Sequence, residues 1–129
     1  MSEAPKLRFV PSGKHVRAVA GGDTIAETSS AIMLLEAGHG PVYYFPRGAV
    51  RFDRLVPSNR STHCPLKGDA SYWSVAGGDE RLEDIAWSYE NPIAAFQSLK
   101  SHVAFYWERL EQRFEDGQEV FGPPDEPVL

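Results

Sequence analysis

The sequence predicts a mainly β, β-rich α+β domain of antiparallel strands with one principal helix. Three observations carry that reading. Short apolar runs alternate with polar residues through the first two-thirds of the chain, glycine pairs and proline–glycine breaks separate them at hairpin spacing, and the pattern changes to a helical period only after Asn91-Pro92.

The stretch HVRAVAGGDTIAET reads as a first hairpin: Val16, Ala18 and Ala20 precede a reversal at Gly21-Gly22, and Ile25 faces the same core on the return. A second hairpin follows, from Ile32 to Glu36, through the loop AGHGP, to Val42–Phe45, whose β-branched and aromatic residues fill a sheet face. Pro46 and Gly48 interrupt it before AVRFDRLV, a further short strand. Pro57 to Gly68 reads as a long loop ending in a local turn. ASYWSVA, GGDER and DIAWSY then form a hairpin across residues 70 to 89. Asn91-Pro92 makes an N-cap and first-turn pair, and Ile93, Phe96, Leu99, Val103 and Tyr106 recur at helical spacing. Because HVAFYW is also a good strand, the helix is placed at 92–101, a strand at 102–107, and a short helical turn within ERLEQRFE. A flexible N-terminus over about residues 1–12 and a proline-rich tail over about 117–129 bracket one domain spanning 1–129, with no internal repeat.

A chain of 129 residues can bury about two-thirds of its unfolded surface without a staple. Thirteen basic and 18 acidic residues give a net charge of -5, and no basic run tracks a phosphate backbone, which argues against general nucleic-acid binding. No apolar span of about 20 residues is available to cross a bilayer. One cysteine cannot form an internal disulfide, and MSEAPKLRF has no apolar signal core, so the expected address is a reducing cytoplasm. CxxC, HExxH, the P-loop and a GxGxxG after a strand are all missing, so no metal and no cofactor are expected.

The chemistry concentrates in STHCPLKGDASYW, residues 61–73. Pro65 biases Cys64 toward extended backbone, and Gly68 can adopt a conformation closed to most residues. Lys67 can then approach the thiol across a tight turn, where an ammonium stabilises a thiolate, with His39, His63 or His102 as base. His63 points away from Cys64 in an extended segment. The competing reading packs Cys64 inward as a small hydrophobe. Trp73 and Val75 are expected on the deeper face of the next strand, with Tyr72 nearer a rim.

Glu36 ends a strand as either a general acid or a solvated residue; Arg47 and Arg51, with Lys67, suit a carboxylate or phosphate or simple surface ion pairs. The hydroxyls of Tyr44, Tyr72 and Tyr89 suit a cleft rim, and equally suit hydrogen bonds at a buried core edge. The leading expectation is therefore a small-ligand binding or regulatory domain, its polar/aromatic cleft drawn from Glu36, Tyr44, Arg47, Arg51, Tyr72 and Tyr89 and its ligand small and polar or anionic. The alternative is a thiol-dependent enzyme using Cys64, Lys67 and a histidine such as His63. A third class is an interaction or structural domain pairing through HVAFYW, with a monomer favoured over a homodimer.

PVYYFPRGAVRFDRL at 41–55, STHCPLKGDASYW at 61–73, DIAWSYENP at 84–92 and HVAFYW at 102–107 together resemble the domain of unknown function 427 family, over roughly residues 14–115. The resemblance implies a compact antiparallel fold similar to the beta-tent or Mss4-like class, whose relatives include zinc-binding proteins and methionine sulfoxide reductases of the B type. This chain lacks their paired CxxC knuckles. Recurring family residues fall here on Glu36, Tyr44, Pro46, Arg47, Val50, Arg51, His63, Cys64, Pro65, Lys67, Gly68, Tyr72, Trp87, Tyr89, Phe105 and Tyr106. Gly48-Ala49 departs from the acidic residue usual before the valine, and Ser101 from a common glycine. A nucleotidyltransferase-like label also attaches to the family; the sequence has no glycine-serine signature with paired aspartates to hold Mg2+ and a triphosphate.

Overall fold

The computed structural model describes residues 7–36, 38–65, 67–77 and 80–125. The strands are β1 (Leu7–Pro11), β2 (Val16–Ala20), β3 (Asp23–Thr28), β4 (Ile32–Glu36), β5 (Val42–Pro46), β6 (Leu55–Cys64), β7 (Gly68–Val75), β8 (Ala86–Ser88), β9 (His102–Phe105), β10 (Gln112–Glu115) and β11 (Gln118–Val120). They form a seven-stranded sheet, in the order β1-β4-β5-β9-β8-β7-β6, and a four-stranded sheet, in the order β11-β10-β2-β3. All pairings are antiparallel, giving a mainly β fold. No helix among the described residues is long and apolar enough to cross a membrane.

Three expected hairpins are present: β2–β3, β4–β5 and β7–β8. The first turns on Gly21 and Gly22 at φ 64° and 80°, and Val16, Ala18, Ala20 and Ile25 are all fully buried.

Elsewhere the elements differ. Pro57–Gly68 is not a loop: Leu55–Cys64 pairs with Gly68–Val75, and the register slips between Pro57 and Ser61. β6 is an edge strand, so Pro57 costs no ladder bond on its open side and a bulge absorbs the turn-forming residues after it. Half of AVRFDRLV lies in two 3-10 turns, Arg47–Ala49 and Phe52–Arg54, and only Leu55 and Val56 reach a strand.

The helix expected at 92–101 is a 3-10 segment, Ala94–Leu99, broken at Phe96. Ile93, Phe96 and Leu99 are three apart, a spacing that eclipses side chains in a 3-10 turn and serves a short cover better than an α-helix. ERLEQRFE likewise divides into a 3-10 turn at Trp107–Arg109 and the strand β10. β1 lies within the stretch expected to be flexible, and β11 within the proline-rich tail; residues 1–6 and 126–129 lie outside the described residues.

Strand alternation divides the large sheet into two faces. Met33, Leu35, Tyr43, Phe45, Val103 and Phe105 pack with Val16, Ala18 and Ile25 of the small sheet in the main core. The intervening residues Leu34, Tyr44 and Ala104 join Ala70, Tyr72, Tyr89 and Leu99 in a second cluster on the opposite face, with Phe96 packed against it. Both faces of the large sheet are therefore covered, and the second cluster holds the functional candidates.

Candidate functional site

Register builds the site's floor. Tyr44 pairs with Ala104, Ala104 with Trp87, and Trp87 with Tyr72, so one row crosses four strands on one face. Residues directly opposite one another share a face, and the small Ala104 lets the flanking rings meet. Tyr44 and Trp87 pack edge to face at 6.4 Å, and the indole Nε1 of Trp87 donates to Tyr44 Oη at 3.2 Å. Tyr72 Oη is 3.0 Å from Thr62 Oγ1, and Trp87 packs against Tyr106 at 4.7 Å.

A cavity of about 390 Å³ opens above this row, walled by Glu36, Tyr44, Cys64, Lys67, Tyr72, Trp87, Tyr89 and Tyr106, with His39 in the loop after β4. Lys67 Nζ donates to Glu36 Oε1 at 3.3 Å, with side chains only 12% and 20% exposed. The pair is shielded well enough for each ion to depend on the other, since losing one partner leaves an uncompensated charge. Lys67 Nζ also lies 6.0 Å from the centre of the Tyr89 ring. Tyr89 is 7% exposed and lines the same cavity. His39 Nε2 approaches Glu36 Oε2 at 3.9 Å from the exposed side.

The turn that presents Lys67 is held by its backbone. Lys67 N donates to Cys64 O at 3.2 Å, and Ile93 N donates to Lys67 O at 2.9 Å. Gly68 sits at φ +118°, and a Cβ there would meet Asn91 O at 3.3 Å. The special conformation expected at Gly68 is present, and with it a close approach of the Asn91–Pro92 backbone.

The structure brings together Glu36, Tyr44, Cys64, Lys67, Tyr72 and Tyr89, and leaves the other expected site residues outside. Arg47 lies over the rings of Phe52 and Trp73 and bonds Glu90 Oε2 at 2.9 Å. Arg51 pairs with Asp53 and Asp23, and its hydrogen bonds hold the Asp53 carboxyl below its ordinary pKa. Both arginines follow β5 in sequence, but the two 3-10 turns carry them away from the Lys67 cavity. His63 is exposed and bonds Asp69 at 2.7 Å, on the side of β6 away from Cys64. His102 is directed to Lys100 O.

Tyr72 is also deeper than expected: it is buried while Trp73 is half-buried, because the second cluster covers what sequence alternation marks as a rim. The cavity adds Trp87 and Tyr106 to the expected set, and of the three histidines named as a possible base it is lined by His39 alone. Among the described residues, no group of three or more His, Cys, Asp or Glu side chains is placed to hold a metal ion.

Burial pushes the hydroxyls of Tyr44 and Tyr89 well above the ordinary tyrosine pKa. On the main-core face, burial does the same to Tyr43, helped by its 2.6 Å hydrogen bond to Glu115. Below the unfolded value near 10 both states hold these protons; above it the unfolded chain releases them first. Stability should therefore be flat up to that pH and then fall, by about 1.4 kcal/mol per pH unit for each such tyrosine. Denaturant midpoints between pH 9 and 11 measure this, and Tyr44→Phe should make the decline shallower.

No curated protein matches the chain. The family model described as a domain of unknown function, DUF427, matches residues 8–116, which include both sheets' central strands and every wall of the Lys67 cavity, and the chain belongs to that family.

Proposed function

We propose that the protein is a small-ligand binding module whose site is the Lys67 cavity, and that its ligand is a polar molecule carrying a hydrogen-bond acceptor beside a donor. The observation that carries this reading is a largely buried ammonium and a largely buried carboxylate beside Tyr89 on one aromatic-walled cavity. An ammonium has three donors and a carboxylate about four acceptor positions, so the Lys67–Glu36 bond leaves capacity on both sides. A ligand acceptor takes Lys67 or Tyr89, and its donor takes Glu36. A simple anion would meet the Glu36 carboxylate and a simple cation the Lys67 ammonium; a neutral carboxamide offends neither. The half-buried free thiol of Cys64 fits a reducing cytoplasm, and we read the protein as a monomer there.

Butanamide, with butanoate and butylammonium as charged comparators, tests the reading. Butanamide should bind best, move the indole N–H resonance of Trp87, and slow maleimide labelling of Cys64. Lys67→Met should weaken it about tenfold, the worth of one hydrogen bond to a charged group. If none of the three compounds moves that resonance or the labelling rate, or if Lys67→Met binds butanamide as tightly as the natural chain, the reading is wrong. The placement of Cys64 and His39 on one cavity wall favours a second reading, thiol chemistry with His39 as proton acceptor. Labelling of Cys64 faster than a free cysteine peptide at pH 7 would put that reading first.

A further inference from the structure

A second cavity, of about 490 Å³, adjoins the first. The two share five wall residues: His39, Gly40, Val42, Trp87 and Tyr106. Their chemistry differs. The first ends in Lys67, Glu36 and tyrosine hydroxyls. The second is lined mainly by Pro41, Tyr43, Phe105, Trp107, Phe121, Pro123 and Pro124. Its charged residues are Glu108 and Arg113, of which Arg113 donates to Trp107 O at 2.9 Å, while Arg113 Nε and Trp107 Nε1 are buried with no hydrogen-bond partner among the described residues. Phe121 is 77% exposed, a large apolar side chain left in solvent at the cavity's edge. The Trp87–Tyr106 pair, its rings tilted at 52°, is common to both cavities, so a molecule seated on those rings contacts both chambers at once.

Resting on the carboxamide-type head group argued above, we infer that the natural ligand is an elongated amphipathic molecule. Its polar head lies at Lys67 and Glu36, its middle crosses Trp87 and Tyr106, and its apolar body fills the chamber between Tyr43, Trp107 and Phe121. A head group alone leaves the second chamber and Phe121 in water. An apolar extension removes both from it, and burial of each added methylene is favourable.

Linear primary amides from butanamide to octanamide, measured by calorimetry and by the indole N–H resonances, test the inference. Affinity should rise about fourfold per methylene while the chain enters the second chamber. The three tryptophans provide separate reporters. Butanamide should move Trp87 alone, octanamide Trp87 and Trp107, and neither should move Trp73, which lines neither cavity. Phe121→Ser should reduce the gain per methylene and leave butanamide affinity unchanged.

Equal affinities along the series, with butanamide binding still dependent on Lys67, would overturn the elongated ligand and leave the polar site standing. Chain-length gain that needs Phe121 but ignores Lys67→Met would overturn the head-group assignment and with it this orientation. Octanamide binding that leaves the Trp107 resonance unmoved would exclude the second chamber outright.

Discussion

Phe45→Ala should destabilise the protein by about 3–5 kcal/mol, a large part of the total stability of a small domain. Phe45 is fully buried on β5, opposite Val103, with its ring edge to face with Phe105 at 5.6 Å. It belongs to the core that joins the two sheets, so truncation removes transfer energy and leaves a cavity that neither sheet can close alone. Urea midpoints read the effect. Phe45→Leu, which keeps most of the volume, should lose considerably less and remains measurable if the alanine variant is largely unfolded. Phe121→Ser is the contrast: the side chain is exposed, and the change should be nearly neutral in stability. A Phe45→Ala loss under about 1 kcal/mol would mean that the sheets do not pack through this ring.

The sequence revealed elements better than it revealed faces. In Tyr43-Tyr44-Phe45 the period of two separates Tyr44 from its neighbours, but only the tertiary pairing decides that each side meets a core, because local sequence cannot show that the large sheet is covered twice. The same ambiguity misplaced Tyr72 relative to Trp73. Lys67, Cys64 and Glu36 were legible as candidates, from a lysine close behind Cys-Pro and a carboxylate ending an apolar strand. Their meeting was not legible: β4 and the β6–β7 turn lie at opposite ends of the strand order and approach over the face, not through adjacent pairing. Arg47 and Arg51 were misleading because nearness in sequence to Tyr44 does not survive two 3-10 turns. His39 was read as part of a hairpin connection, which it is, and as one of three possible bases; that the connection also walls a cavity depends on Trp87 and Tyr106, more than 45 residues away in the chain.

Gly68→Val should cost about 2 kcal/mol or more, and should disturb the site in whatever fraction still folds. The residue holds φ +118°, where a β-branched side chain is strained whatever the space around it. Space is also short: a Cβ would stand 3.3 Å from Asn91 O and 3.4 Å from Pro92 Cα, both backbone atoms of the segment that crosses the turn. That segment cannot retreat freely, because Ile93 N donates to Lys67 O at 2.9 Å, and the same turn carries the Lys67 N to Cys64 O bond. Displacing it therefore moves the residue whose ammonium meets Glu36. Gly68→Ala should cost about 1 kcal/mol or more and, being milder, is the variant on which to read function: the Trp87 indole resonance should shift without ligand, and butanamide should bind more weakly. Gly48→Ala is the control, since Gly48 has ordinary backbone angles and open space at its missing Cβ, and the change should leave the denaturant midpoint where it was. If Gly68→Val and Gly48→Ala unfold at the same midpoint, the turn is not held as described, and the position of Lys67 needs another explanation.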